Sequence, residues 1–247
     1  MARGDERALV IWIFAALLVV WGNVTSAALG SSAWLPGGSW SFIASGLALV
    51  VVSVVAGRAM SLDRRALGLV GSHALGALSG VLLGAIVAAV GVLLLLVAGP
   101  AIVGRPIEYA PLAAVTAGTL TPHIAFFLPL GDILPEELAF RGVLLGAFVR
   151  SMSATRAIAG AAIVFALWHL AVVRATIDDT SLGRPSVWFV PALVGALIVV
   201  AIGGAVFAWL RLRTGSLATT IAAHWSFDAV LLVGLSLGRA SVPPSCC

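Results

Sequence analysis

Seven stretches of the chain consist almost entirely of apolar residues and are separated by short segments that carry most of the charges. Each stretch approaches or exceeds the roughly 20 residues that an α-helix needs to cross the hydrocarbon core of a bilayer. They span 8–29, 40–57, 74–103, 118–148, 157–173, 187–210 and 216–237. The pattern predicts an all-α fold, a polytopic membrane bundle of about seven transmembrane helices.

The fourth stretch carries three prolines, Pro122, Pro129 and Pro135. Proline removes a backbone hydrogen bond and clashes with the preceding turn, so we expect this helix to kink or to restart. Pro135 suits the first turn of a restarted helix, where its missing N–H is no loss. The two glutamates that follow it would favour the positive end of the helix dipole.

Composition supports a membrane location and argues against several functions. The 247 residues are 61% hydrophobic and 10% charged, with a mean hydropathy of +1.14, whereas a soluble domain has about 25% charged residues. Basic residues do not alternate with aromatic ones as a nucleic-acid surface requires, so we expect no nucleic-acid partner. The two cysteines, Cys246 and Cys247, offer neither a disulfide framework nor a cysteine metal site.

The arginines lie unevenly on the two sides of the predicted bundle. With the N-terminus inside, cytoplasmic segments hold Arg3, Arg7, Arg58, Arg64, Arg65, Arg150, Arg156, Arg211 and Arg213, and external segments hold Arg105, Arg174, Arg184 and Arg239. Positive charge is enriched in cytoplasmic loops, so this distribution predicts an integral membrane protein with its N-terminus inside. The first stretch also has the make-up of a cleaved signal peptide, but we expect an uncleaved span because many spans follow.

Ionisable residues within the stretches gather in three of them. The fourth stretch holds Glu136, Glu137 and Arg141, the fifth holds His169, and the seventh holds His224 and Asp228. At about 1.5 Å per residue, Glu136 and His169 lie about 18 Å from the cytoplasmic ends of their spans, and His224 about 12 Å. Ionisable groups in a bilayer are energetically costly and usually functional. Their similar depth predicts one site in an intramembrane polar cavity.

Helical spacing separates the two adjacent glutamates. Glu137 and Arg141 are four residues apart and share a helix face, so they can form an ion pair, whether structural or functional. Glu136 is rotated by about 100° from Glu137 and faces elsewhere, toward the predicted cavity. Asp132 has two interpretations that the sequence leaves open, a cap at the proline break or a part of the site.

The same spacing links residues around each histidine. Asp228 shares a helix face with His224, so its carboxylate can hold one imidazole nitrogen and fix the tautomer of the ring. Phe165 shares a face with His169 and is expected to wall its pocket. His123, near the predicted external end of its helix, is interpreted as structural.

These residue types are compatible with more than one chemistry. Glu136, His169 and His224 can activate water by general base catalysis, or they can bind a divalent metal such as zinc that lowers the pKa of the water. The serines do not track these residues, which disfavours a serine hydrolase, and the absence of an H-E-x-x-H motif disfavours a site-2-type metalloprotease. The alternatives are an ion-coupled transporter that uses the same groups and a catalytically silent membrane scaffold or immunity protein.

Three motifs occur in order on separate spans: E-E-x-x-x-R from Glu136, F-x-x-x-H ending at His169, and H-x-x-x-D from His224. Together they resemble the CPBP family of CAAX-processing and bacteriocin-immunity intramembrane endopeptidases. The resemblance covers 118–238, which we expect to be a catalytic transmembrane core. N-terminal helices in 1–117 would precede this core, and a short tail, 239–247, would follow it.

The resemblance implies a peptidase in which Glu136 and His169 activate the attacking water, while His224 and Asp228 stabilise the oxyanion or position the water. Supporting roles fall to Glu137, Arg141 and Phe165. Because an ionised aspartate accepts hydrogen bonds but donates none, we expect Asp228 to orient His224. The expected partners are membrane lipids and a membrane-anchored, lipidated or sorting-signal-bearing protein, in a bacterial cytoplasmic membrane. Metal dependence stays open; if a metal is bound, its expected ligands are Glu136, His169 and His224.

Overall fold

The computed structural model describes residues 2–29, 40–71 and 74–240, which form helices joined by short loops. In chain order they are α1 (Ala2–Leu29), α2 (Trp40–Ala59), α3 (Ala74–Val103), α4 (117–151), α5 (Ala154–Trp168), α6 (Leu170–Asp178), α7 (Phe189–Thr214) and α8 (Leu217–Ala240). A 3₁₀ turn, Ala110–Ala114, precedes α4. Extended pairing in the described ranges is limited to isolated bridges, so the predicted all-α fold is confirmed.

The helices have the length and apolarity of membrane spans. Within the described part of the chain, five helices (α1 from Ala8, α2, α3, α7 and α8) pass this test, and α5 with α6 adds a sixth if the bent pair is one span. α4 coincides with the fourth predicted stretch, so the count agrees with a bundle of about seven. Apolar side chains such as Ile86 and Val199 are about three-fifths exposed, as expected for a surface in contact with lipid. Of the predicted tail, residues 241–247 lie outside the described ranges.

Small residues allow α3 and α8 to pack along one another. Gly80 and Gly84 lie on one face of α3, four residues apart. A Cβ atom at either position would collide with a carbonyl of α8, that of Thr219 or Ala223. Small residues at this spacing let helix backbones approach closely in membranes, where dispersion contacts rather than the hydrophobic effect hold helices together.

α4 forms the centre of the bundle. Its residues 139–148 are all buried, and it contacts α1, α2, α5, α7 and α8. Phe140, Val143, Leu144 and Phe148 supply the apolar part of this core. A helix that is buried all round must satisfy its polar side chains with groups from other helices, and α4 carries both glutamates.

Candidate active site

The two glutamates of α4 lie where the helix changes type. α4 contains three π-helical segments, His123–Phe127, Pro129–Ile133 and Leu138–Leu144. The prolines do not end the helix, because the residues that flank each segment keep a right-handed helical backbone. The expected restart at Pro135 is therefore a change of helix type, with α-helical Leu134–Glu137 between two π-helical segments. Such π-helical inserts occur frequently at functional sites.

Glu136 points from α4 toward the junction of α5 and α6. Its side chain is buried, and its Oε1 accepts a hydrogen bond from Trp168 Nε1 at 2.8 Å. The other oxygen, Oε2, lies 3.9 Å from His169 Nε2. That distance is too long for a direct hydrogen bond but suits a single bridging water.

The ring of His169 is held in one tautomer. His169 lies between α5 and α6 with φ −86° and ψ 0°, and its Nδ1 is 2.8 Å from the Phe165 carbonyl oxygen. A carbonyl only accepts hydrogen bonds, so Nδ1 carries the proton and donates. Nε2, the nitrogen that faces Glu136, is left with its lone pair. The Phe165 ring lies against the imidazole as the spacing predicted, with 4.4 Å between centroids.

Asp132 lies within α4 and does not cap a helix. It stands inside a π-helical segment, one turn before Glu136. Residues four apart share a helix face, so Asp132 lies beside Glu136 at the candidate site.

Glu137 connects α4 to α8. Its Oε1 lies 2.9 Å from Arg141 Nη1, which is the predicted ion pair. The same oxygen accepts a hydrogen bond from His224 Nδ1 at 2.9 Å. Neither side chain of the ion pair is more than 2% exposed, so each charge depends on the other for compensation.

Two aromatic rings flank the guanidinium of Arg141. Its Cζ lies 4.1 Å from the centroid of Phe165 and 5.1 Å from that of Phe207. The attraction of a cation to an aromatic face strengthens when both are desolvated. Phe165 thus contacts Arg141 as well as His169 and links the ion pair to the histidine at the α5–α6 junction.

His224 lies between two carboxylates. With Nδ1 donating to Glu137, Nε2 is 3.4 Å from Asp228 Oδ2. The contact with Asp228 was predicted, but the shorter contact, to Glu137, comes from another helix. The side chains of His169 and Asp228 are 19% and 20% exposed, whereas Glu137 is fully buried. The site therefore opens at His169 and Asp228.

The donor set does not fit a metal ion. Among the described residues, no group of three or more His, Cys, Asp or Glu side chains is arranged so that it could hold one. Both ring nitrogens of His224 face carboxylates, those of Glu137 and Asp228, so they do not converge with Glu136 and His169.

Comparison with known families identifies the segment that contains this site. Residues 118–230 match the family model described as type II CAAX prenyl endopeptidase, Rce1-like. This segment, called the Rce1-like segment below, is similar to that family. The match confirms the resemblance to CPBP endopeptidases and indicates a CAAX-type intramembrane endopeptidase. No curated protein and no solved structure matches the chain.

All seven predicted site residues lie within the Rce1-like segment, and the structure brings them together. The sequence interpretation missed Trp168, the donor to Glu136, and the contact of Glu137 with His224. These contacts join different helices, so helical spacing carries no signal for them. A buried tryptophan next to His169 was the one available hint, because buried indole N–H groups need acceptors.

Proposed function

We propose that the chain is an intramembrane endopeptidase that hydrolyses a peptide bond near the terminus of a membrane-anchored, lipidated or sorting-signal-bearing protein. In this proposal Glu136 and His169 activate the attacking water. The observation that carries it is the 3.9 Å separation between Glu136 Oε2 and His169 Nε2, two hydrogen-bond acceptors on either side of a gap that suits one water.

Water in this gap would donate one hydrogen to Glu136 Oε2 and the other to His169 Nε2, because both atoms are acceptors. Its lone pairs then face the substrate. As the oxygen bonds to the carbonyl carbon, the proton moves to Glu136, and collapse of the tetrahedral intermediate passes it to the leaving amine while the C–N bond breaks. General base catalysis of this kind contributes about 10²–10⁴-fold.

His224 is the proposed donor to the oxyanion. Glu137 fixes the ring through Nδ1, so a proton on Nε2 makes the ring an imidazolium that can donate toward the open side of the site. Asp228, 3.4 Å from Nε2, accepts from this nitrogen before substrate arrives and keeps the ring oriented. The Glu137–Arg141 pair stabilises this arrangement from the buried side.

The description of the matching family, a CAAX prenyl endopeptidase, supports a prenylated peptide as the proposed substrate class. We infer that a peptide ending in a prenylated C-a-a-X sequence is the appropriate probe. Its lipid would remain in the bilayer, while its C-terminal residues would reach the site at the open side beside His169 and Asp228.

The test compares wild type with Glu136→Gln, using a farnesylated C-a-a-X peptide that carries a fluorophore and a quencher. Glu108→Gln is the matched control, because Glu108 is exposed and outside the site. We expect cleavage to fall by at least about 100-fold in Glu136→Gln and to be unchanged in Glu108→Gln, with equal accumulation of all three proteins. In cells, a membrane or secreted protein should retain an untrimmed terminus in the Glu136→Gln strain.

Wild-type cleavage by Glu136→Gln in both assays would refute the proposal. Proton-coupled flux in vesicles that Glu136→Gln abolishes would instead favour the transporter, and function that survives alanine at both Glu136 and His169 would favour the silent scaffold.

A further inference from the structure

Asn23 of α1 replaces one backbone hydrogen bond at the junction of α5 and α6. Its Nδ2 donates to the Leu167 carbonyl at 2.8 Å, and its Oδ1 accepts from the Ala171 N–H at 2.8 Å. In an uninterrupted α-helix the Ala171 N–H would donate directly to the Leu167 carbonyl, four residues earlier. The carboxamide of Asn23 is therefore inserted into that hydrogen bond and satisfies both of its ends.

This insertion accounts for the bend between the two helices. α5 and α6 meet at 46°, and residues 165–173 contain neither proline nor glycine. Sharp bends in helices arise at proline, at glycine or serine pairs, at π-bulges, or where a side chain or water inserts into the hydrogen-bond ladder. At this junction, Asn23 supplies the last of these causes.

The bend in turn fixes the tautomer of His169. In a straight helix the Phe165 carbonyl would accept from the backbone N–H of His169. Here that N–H donates to the Ala166 carbonyl at 3.1 Å, and the Phe165 carbonyl accepts from the His169 ring Nδ1 at 2.8 Å. Straightening the helix would restore the backbone hydrogen bond and remove the acceptor that keeps the proton on Nδ1.

We propose that Asn23 is a positioning residue for His169. By maintaining the α5–α6 bend, Asn23 keeps the imidazole Nε2 unprotonated and facing Glu136. The expected effect of Asn23 on catalysis rests on the proposed function, whereas its effect on the His169 tautomer does not. α1 is shaped for this role, since a Cβ on Gly22 would collide with the ring and carbonyl of Trp168. A helix outside the Rce1-like segment thus completes the site.

The structural consequence can be measured without substrate. The protein is labelled with ¹⁵N-histidine, and the signals of His169 are identified from their loss in His169→Gln. We expect wild type to show a protonated Nδ1 and an unprotonated Nε2, and Asn23→Leu to shift toward the opposite tautomer. An unchanged His169 spectrum in Asn23→Leu would overturn the proposal.

The catalytic consequence is measured with the farnesylated peptide. Asn23→Leu should lower kcat about 100-fold, the loss that a misplacement of about 1 Å can cause, with KM within about twofold of wild type. Thr25→Val is the matched control: Thr25 lies on the same helix end, and its hydroxyl bonds the Trp21 carbonyl of its own helix. We expect kcat of Thr25→Val to stay within about twofold of wild type, because an intrahelical bond on α1 does not act on His169.

A second substitution distinguishes positioning from a general loss of stability. Ala171 is the second residue of α6, a position where proline is tolerated. The ring of a proline introduced there would clash with the Leu167 carbonyl and enforce the bend. Adding Ala171→Pro to Asn23→Leu should therefore raise kcat at least about tenfold over that of Asn23→Leu alone. The reason is that proline would then interrupt the helix in place of Asn23. No rescue, with wild-type stability of the double variant, would contradict the positioning role.

The two proposals fail differently. If Glu136→Gln cleaves the peptide normally, the proposed function falls, and the His169 tautomer still decides the role of Asn23. If Glu136→Gln is inactive while Asn23→Leu keeps wild-type kcat and the wild-type His169 spectrum, the positioning role alone falls.

Discussion

Replacing Arg141 by methionine should lower the free energy of unfolding by about 3–5 kcal/mol, because it leaves a buried carboxylate without its main partner. Glu137 is fully buried, Arg141 is 2% exposed, and the Nη1–Oε1 distance is 2.9 Å. The guanidinium also lies over Phe165 and Phe207, and a desolvated cation–π contact is worth about 2 kcal/mol. Methionine retains part of the packing but neither of these electrostatic contacts.

The measurement is reversible unfolding in mixed micelles, followed by circular dichroism as the fraction of SDS rises, for a double-mutant cycle of Glu137→Gln and Arg141→Met. The double variant should recover at least about half of the loss, since a buried ion pair can often be replaced by neutral groups at little cost. Arg156→Met is the control; Arg156 is exposed, so its change should stay within about 0.5 kcal/mol. A loss below about 1 kcal/mol in Arg141→Met would show that Glu137 carries no buried charge, and the reasoning would fail.

Three further outcomes test the site. Trp168→Phe removes the donor to Glu136 but keeps an aromatic ring. A hydrogen bond to a charged group contributes about 1.5–3 kcal/mol, so kcat should fall about 10–100-fold at constant KM. An unchanged kcat would show that Trp168 does not orient the base. Asp228→Asn should keep kcat within about tenfold of wild type, a loss of no more than about 1.4 kcal/mol, because the amide oxygen still accepts from His224. Asp228→Leu should lower kcat further. Equal kcat values for the two variants would argue against the contact between Asp228 and His224. A chelator series on purified protein should leave the cleavage rate unchanged, because the donors do not converge on a metal site; loss of activity that zinc restores would contradict this.

Local spacing predicted the contacts between residues one helical turn apart. Glu137 with Arg141, Phe165 with His169 and His224 with Asp228 are each four residues apart, and all three contacts are observed. The prolines of α4 were a poorer guide, because the expected restart takes the form of π-helical segments within one continuous helix. A buried helix can absorb a missing backbone hydrogen bond by widening, and the sequence does not show which response will occur.

The sequence by itself determined the helices long and apolar enough to span a membrane, the residues proposed to carry the chemistry and the pairs on one helix face, because hydrophobic length and the helical repeat are local properties. Only the tertiary structure decided which groups meet across helices. Glu137 reaches His224 across 87 residues, Trp168 reaches Glu136 across 32, and Asn23 reaches Ala171 across 148. These contacts depend on how closely helices approach and how they are rotated, which side-chain packing sets and periodicity does not encode. The tautomer of His169 is the clearest case, since it depends on a bend whose cause lies in another helix.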